Sequence, residues 1–181
     1  MPILIILAAL AIALVVLFNQ LIRLRNLKEE AYSGIDVQLK RRHDLIPNIL
    51  ESVKGYKQYE QKTLETITNL RAQLLCPVPM KDQGKLESQL SAAFKSIFAV
   101  AEAYPDLKSN TTMNQLSEEL SSTENKVAFA RQAYNDAVMS YNTGREIFPV
   151  SIIAGATGFV EARLFEIERT VEREPVKVSF A

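Results

Sequence analysis

The sequence has no tryptophan, one cysteine, one histidine and six glycines among its 181 residues. A single cysteine cannot form an intramolecular disulfide, so Cys76 is expected to be a buried apolar residue rather than a reactive one. One histidine excludes most histidine-based metal sites, and neither a glycine-rich phosphate loop nor a CxxC or HExxH motif is present. We therefore expect no metal, no other cofactor and no small-molecule substrate.

Neither sign of charge is in excess, because 21 Lys and Arg residues balance 21 Asp and Glu residues. This balance argues against broad nucleic-acid binding. The many Ala, Leu, Glu and Gln residues are typical of helices, and the predicted fold class is all-α.

The amino-terminal part of the chain is one long apolar run. Residues 3–18 are all Ile, Leu, Val, Ala or Phe, and residues 19–22 extend the run to the roughly 20 residues that a bilayer-spanning helix needs. A cleaved signal peptide is the competing interpretation, but no Lys or Arg precedes the run, and the small-x-small site at 11–13 lies inside it. We predict an uncleaved transmembrane anchor over residues 1–22.

Basic residues follow this anchor and do not precede it. They are Arg23, Arg25 and Lys28, and then Lys40, Arg41 and Arg42. The positive-inside rule therefore predicts that residues 23–181 lie in the cytoplasm and that the amino terminus lies outside. At 1.5 Å of rise per residue only the first three are near enough to contact lipid headgroups, so we expect the later three to meet protein.

Apolar residues continue at helical spacing beyond the anchor, which predicts that the span and the first soluble helix are one helix. This stripe consists of Leu24, Leu27, Ala31, Ile35, Leu39, Ile46, Ile49 and Val53, with a gap at Arg42. Pro47 removes a backbone donor, so a kink or a helix restart capped by Asp44 is expected there.

The stripe resumes through Leu74, and this first helix is expected to end at the prolines of residues 76–79. A second helix covers about 82–104. The third has unbroken heptad spacing at Met113, Leu116, Leu120, Thr123, Val127, Ala130, Tyr134, Ala137 and Tyr141. Residues 150–160 predict a short helix packed on the others, with an interfacial segment as the alternative.

Together these patterns predict an elongated, antiparallel, four-helix-like bundle that continues from the transmembrane helix. The expected domains are the anchor at 1–22, a cytoplasmic bundle at 23–165 and a C-terminal tail at 166–181. Tyr134 and Tyr141 each precede an asparagine, and we interpret both as core aromatics with hydrogen-bonded hydroxyls.

The densest polar cluster comprises Lys40, Arg41, Arg42, His43 and Asp44. Its simplest interpretation is a solvated, basic helix face, and its functional interpretation is a protein-interaction site. An acid–base pair of His43 and Asp44 is disfavoured, because neighbouring residues on a helix point about 100° apart.

Residues 19–26, 35–48, 103–108, 123–126, 134–138, 141–142 and 148–149 resemble the LemA family, in that family's order. The most specific stretch is QLKRRHDLIPN at residues 38–48. The resemblance implies a bacterial membrane protein with a short outer amino terminus, a cytoplasmic helical bundle and no catalytic residues. It also implies a role near membranes, since members occur beside a membrane metalloprotease in some genomes and a relative takes part in magnetosome membrane formation.

The leading hypothesis is a non-enzymatic scaffold, anchored in the inner membrane and self-associating through its long helices. The alternative is an adaptor that presents cytoplasmic helices to a membrane protease or another envelope protein. An enzyme using His43 is a third class, and no catalytic constellation in the sequence favours it.

Overall fold

The computed structural model describes residues 1–53, 61–103 and 111–165, and it contains five helices and no strand over those ranges. They are α1 (Pro2–Val53), α2 (Gln61–Leu74), α3 (Met80–Ala103), α4 (Thr111–Glu146) and α5 (Val150–Thr157). The all-α prediction is confirmed, as is the prediction that the apolar run and the first soluble helix are one helix. The predicted tail at 166–181 lies outside the described residues.

The chain divides into two compact units. The first contains Met1–Leu45 and Glu118–Leu164, and the second contains the described residues between Ile46 and Ser117, together with Phe165.

In the first unit, α1 and α4 run antiparallel. The rings of Tyr32 and Tyr134 meet edge to face at 5.6 Å, and the Lys28 amine lies 5.3 Å from the ring centroid of Tyr141. Contacts thus move toward the start of α1 as they move toward the end of α4.

The heptad pattern of α4 is confirmed. Eight of its nine predicted core positions are buried, and Ala130 is half-buried. A sustained spacing of three and four residues places those side chains on one helical face, and that face is the buried one.

In the second unit, α2 and α3 pack against each other as a helical hairpin. Pro77 and Pro79 lie in the connection, where the sequence predicted that the helix ends. Ile67 and Leu70 are buried on α2, and Leu90, Phe94 and Ile97 are buried on α3.

Two local predictions are wrong, and a third is wrong in part. Helix α1 passes through Pro47 without a restart, because the fully buried Ile46 and Ile49 hold the helix on either side of it, whereas a kink at Pro47 stays a prediction. Asp44 does not cap a helix there and instead accepts a hydrogen bond from Lys40 at 2.9 Å. Cys76 is exposed rather than buried, since it lies in the turn after α2.

Candidate functional site

The polar cluster at residues 40–44 divides between the two sides of α1. Lys40 and Asp44 form an ion pair on the exposed side, and Arg41 is exposed beside them. Arg42 and His43 are buried, at 2 % and 8 % exposure. The interpretation of the cluster as a solvated face is therefore right for Lys40, Arg41 and Asp44 and wrong for Arg42 and His43.

The burial of Arg42 follows from helical periodicity. Ile35, Leu39, Ile46 and Ile49 are buried, and position 42 continues their alternation of four and three residues. The gap in the apolar stripe is thus a core position occupied by a cation, and both Arg42 and His43 have interaction partners. His43 lies on the buried side and Asp44 on the exposed side, so the two do not form an acid–base pair.

The three residues predicted to contact lipid headgroups also have different surroundings. The Arg25 guanidinium lies 5.5 Å from the ring centroid of Phe159, and Lys28 lies over Tyr141 and pairs with Glu29 at 2.8 Å. Arg23 is exposed, and it forms no ion pair or ring contact with any residue that the structure describes. Arg25 and Lys28 therefore join α1 to the segment after α5 and to α4, beside the apolar run, through cation–π contacts of about 0.5–1 kcal/mol each at exposed sites.

Tyr32 and Tyr134 form the next contact between α1 and α4, farther from the apolar run. Burial raises the pKa of Tyr32, and the carboxylates of Asp36 and Glu29 raise it further. Burial likewise raises the pKa of Tyr134, followed by the effects of Glu29 and Tyr32. Both shifts favour the neutral phenol, so this aromatic contact carries no charge at neutral pH.

Residues 160–163 return along α4 and are held by its polar side chains. The hydroxyls of Tyr141 and Tyr134 donate to the carbonyls of Val160 and Arg163, at 2.9 and 3.1 Å. Asn142 donates to the carbonyl of Ala162 at 2.9 Å and accepts from its N–H at 3.0 Å. These four hydrogen bonds are called the return clamp below.

The return clamp confirms the interpretation of Tyr134 and Tyr141 as buried aromatics with hydrogen-bonded hydroxyls. The sequence reasoning missed the reciprocal role of Asn142. Its signal was the Tyr-Asn pair repeated one heptad apart, since only a side chain with both donor and acceptor can pair with both backbone groups of one residue.

Helix α5 packs against the apolar run of α1. A buried cluster lies where the two helices meet, and it consists of Leu21, Tyr141, Val150, Ala154 and Phe159. Beside it is an apolar groove lined by Leu14, Val15, Phe18, Ile152, Ile153, Ala156 and Thr157. The predicted packing helix at 150–160 is confirmed as α5, with Val150 and Ala154 as its buried residues.

Helix α1 is long and apolar enough to cross a membrane, and none of its most apolar 18-residue stretch is buried. A core helix of a soluble protein would bury such a stretch, so its exposure is consistent with a single-pass membrane protein. Among the residues that the structure describes, no group of three or more His, Cys, Asp or Glu side chains is placed to hold a metal ion.

Comparison with known proteins agrees with the residues that carry the resemblance. The model of the LemA family matches residues 31–180. Protein LemA of Metamycoplasma hominis is 29 % identical over 162 residues, which cover 89 % of this chain and 74 % of that protein. Because the family model covers most of its length, the chain belongs to the LemA family.

Proposed function

We propose that this protein is a non-enzymatic, membrane-anchored helical scaffold that self-associates at the bacterial inner membrane. The observation that carries the proposal is the composition of α1. The same unbroken helix is apolar and exposed over its first part and supplies buried core residues from Leu21 onward. Whatever binds the bundle is therefore joined to the membrane by a continuous helix rather than by a flexible linker.

The proposed orientation places the amino terminus outside and residues 23–181 in the cytoplasm. Its support is the charge asymmetry, because Lys and Arg are absent before the run and frequent after it. Although Arg25 and Lys28 contact aromatic rings, their charges remain on the same side of the run as Arg23.

The proposed absence of catalysis is supported by the placement of the only histidine. His43 is buried in the helix core, while the neighbouring carboxylate of Asp44 is bound to Lys40. An acid–base pair needs both groups within hydrogen-bond reach of one substrate, which this arrangement does not offer.

Self-association is supported by apolar side chains on the first unit that lie outside the apolar run. Large exposed residues there include Leu27 and Val37 on α1, and Phe129 and Met139 on α4. Burial of apolar surface drives most protein association, and Phe and Met are enriched at interfaces, so these positions offer contacts to a second copy.

The test is the native mass of the full-length protein in a mild detergent, compared across variants. Val37→Ser and Phe129→Ser are expected to lower the mass, whereas Leu75→Ser alters an equally exposed residue in the α2–α3 turn and should not. A mass equal to one chain at all physiological concentrations would contradict the scaffold.

The adaptor remains the second candidate, because the exposed part of the polar cluster offers a charged surface to a partner. Arg41→Glu tests it without disturbing the core, which the buried Arg42 would not allow. A co-purifying membrane protein that is lost with Arg41→Glu but kept with Lys126→Glu, an exposed control on α4, would favour the adaptor.

A further inference from the structure

The segment at residues 147–160 combines an apolar surface with a fixed position beside the span. It carries no charged residue, although Arg145 and Glu146 precede it and Glu161 follows it. Several of its large side chains are nevertheless exposed, with Phe148 at 76 %, Ile152 at 65 % and Val160 at 75 %. Several exposed apolar side chains within one short segment are typical of an interaction site for a protein or a membrane.

The contacts of α5 fix the level of this segment along α1. Ile152 and Ala156 line the same groove as Leu14 and Phe18, and the rings of Phe18 and Phe159 lie 6.0 Å apart. At 1.5 Å per residue, positions 14–18 lie about 8–14 Å on the apolar side of Arg23, the first charged residue of α1.

The backbone at the carboxyl end of α5 and beyond it is paired in the way that a low-dielectric environment requires. Gly158 ends α5 in the left-handed conformation at a φ of 75°, and the Phe159 N–H donates to the Ala154 carbonyl at 3.1 Å. The return clamp then pairs the backbone of the following residues with α4. Non-helical backbone at membrane depth is tolerated only when protein groups satisfy it.

We propose that residues 147–160 form a re-entrant membrane element, which inserts the exposed face of α5 among the acyl chains of the leaflet nearest the bundle. This inference rests on the proposed membrane anchoring of α1. Leu14, Val15, Ile152 and Ala156 line one groove, so acyl chains that contact the first two side chains also contact the last two. Interfacial helices enter about 5–10 Å below the headgroups, and the level of α5 overlaps that depth.

The experiment measures depth in vesicles of phosphatidylcholine and phosphatidylglycerol that contain the full-length protein. In a Cys76→Ser background, which removes the exposed native thiol, a bimane probe is attached to Ile152→Cys. Ile12→Cys reports on the span, and Lys126→Cys reports on an exposed position of α4 outside the proposed self-association surface. All these positions are exposed, and circular dichroism and native mass verify that each variant is folded.

Lipids with a nitroxide on the acyl chain then quench the probe. The proposal expects a loss of emission at Ile152→Cys that approaches the loss at Ile12→Cys and clearly exceeds the loss at Lys126→Cys. Quenching at Ile12→Cys alone would overturn the re-entrant element and leave the anchor intact. No quenching at either position would overturn both.

Occupation by a second copy of the chain gives a different result. In that case the probe on Ile152→Cys is shielded from the lipid quencher and from iodide in the water, whereas the probe on Lys126→Cys remains open to iodide. This pattern would also overturn the proposal, because the exposed face of α5 would then contact protein rather than lipid.

Discussion

Asn142→Ala should release the returning segment from α4. It removes two hydrogen bonds to Ala162, at 2.9 and 3.0 Å, and each such bond contributes about 0.5–1.5 kcal/mol. Because the site is half-buried and water replaces part of the loss, we expect a local cost of about 1–2 kcal/mol. Alanine is the better helix former, so α4 itself should not be weakened.

Hydrogen exchange followed by mass spectrometry measures this change directly. The Ala162 N–H donates to the Asn142 side chain, so its exchange requires that the return clamp opens. A cost of about 1–2 kcal/mol corresponds to exchange about 5- to 30-fold faster. Asn125→Ala, at an exposed position on the same helix, is the matched control. Unchanged exchange at Ala162 in Asn142→Ala would refute the reciprocal pairing.

Three further predictions concern stability in detergent. Arg42→Glu should lower the unfolding free energy, measured in urea, by about 2 kcal/mol or more, because Arg42 is buried. The neighbouring Arg41→Glu, at an exposed position, should lower it by about 0.5 kcal/mol or less. Equal costs would contradict the assigned burial. Phe94→Ala should lower the unfolding free energy by about 3–5 kcal/mol, and a cost below about 1 kcal/mol would show that α3 does not bury this ring. Because the folded state raises the pKa of Tyr32 and Tyr134, their contribution to the unfolding free energy is fully present below about pH 10 and declines as the pH rises through the raised values. Urea titrations at about pH 9 and about pH 11 should therefore show a smaller decline in unfolding free energy for Tyr32→Phe than for the unchanged protein. An identical decline in the two proteins would contradict the shift.

The large elements could be predicted because the apolar residues of a long helix recur at regular spacing. The heptads of α4 and the continuity of α1 follow from the spacing of apolar residues, and the turn after α2 follows from its two prolines. Pro47 was misjudged because local propensity expects a restart, whereas burial on both sides of the proline maintains the helix. Tertiary packing outweighs propensity in such cases.

The candidate site was harder to predict, because its charged residues were expected to be exposed to solvent. Arg42 occupies a core position, and Arg25 and Lys28 contact rings that are distant in sequence. A one-dimensional stripe shows which face a residue occupies, but it does not show which aromatic ring a later helix brings to that face. The headgroup and protein-interaction roles of these residues, and the domain boundaries, stay predictions.

The cation–π contacts of Arg25 and Lys28 have a mechanical consequence. They attach α4 and the segment after α5 to α1 directly beside the apolar run, so the first unit must follow α1 when it tilts. Spanning helices change tilt to match the thickness of their bilayer. From Arg23 to Leu45, α1 rises about 33 Å, so a tilt change of about 10° would displace its far end by about 6 Å. Bilayer thickness would in this way be converted into a lateral displacement of the surface that the bundle presents.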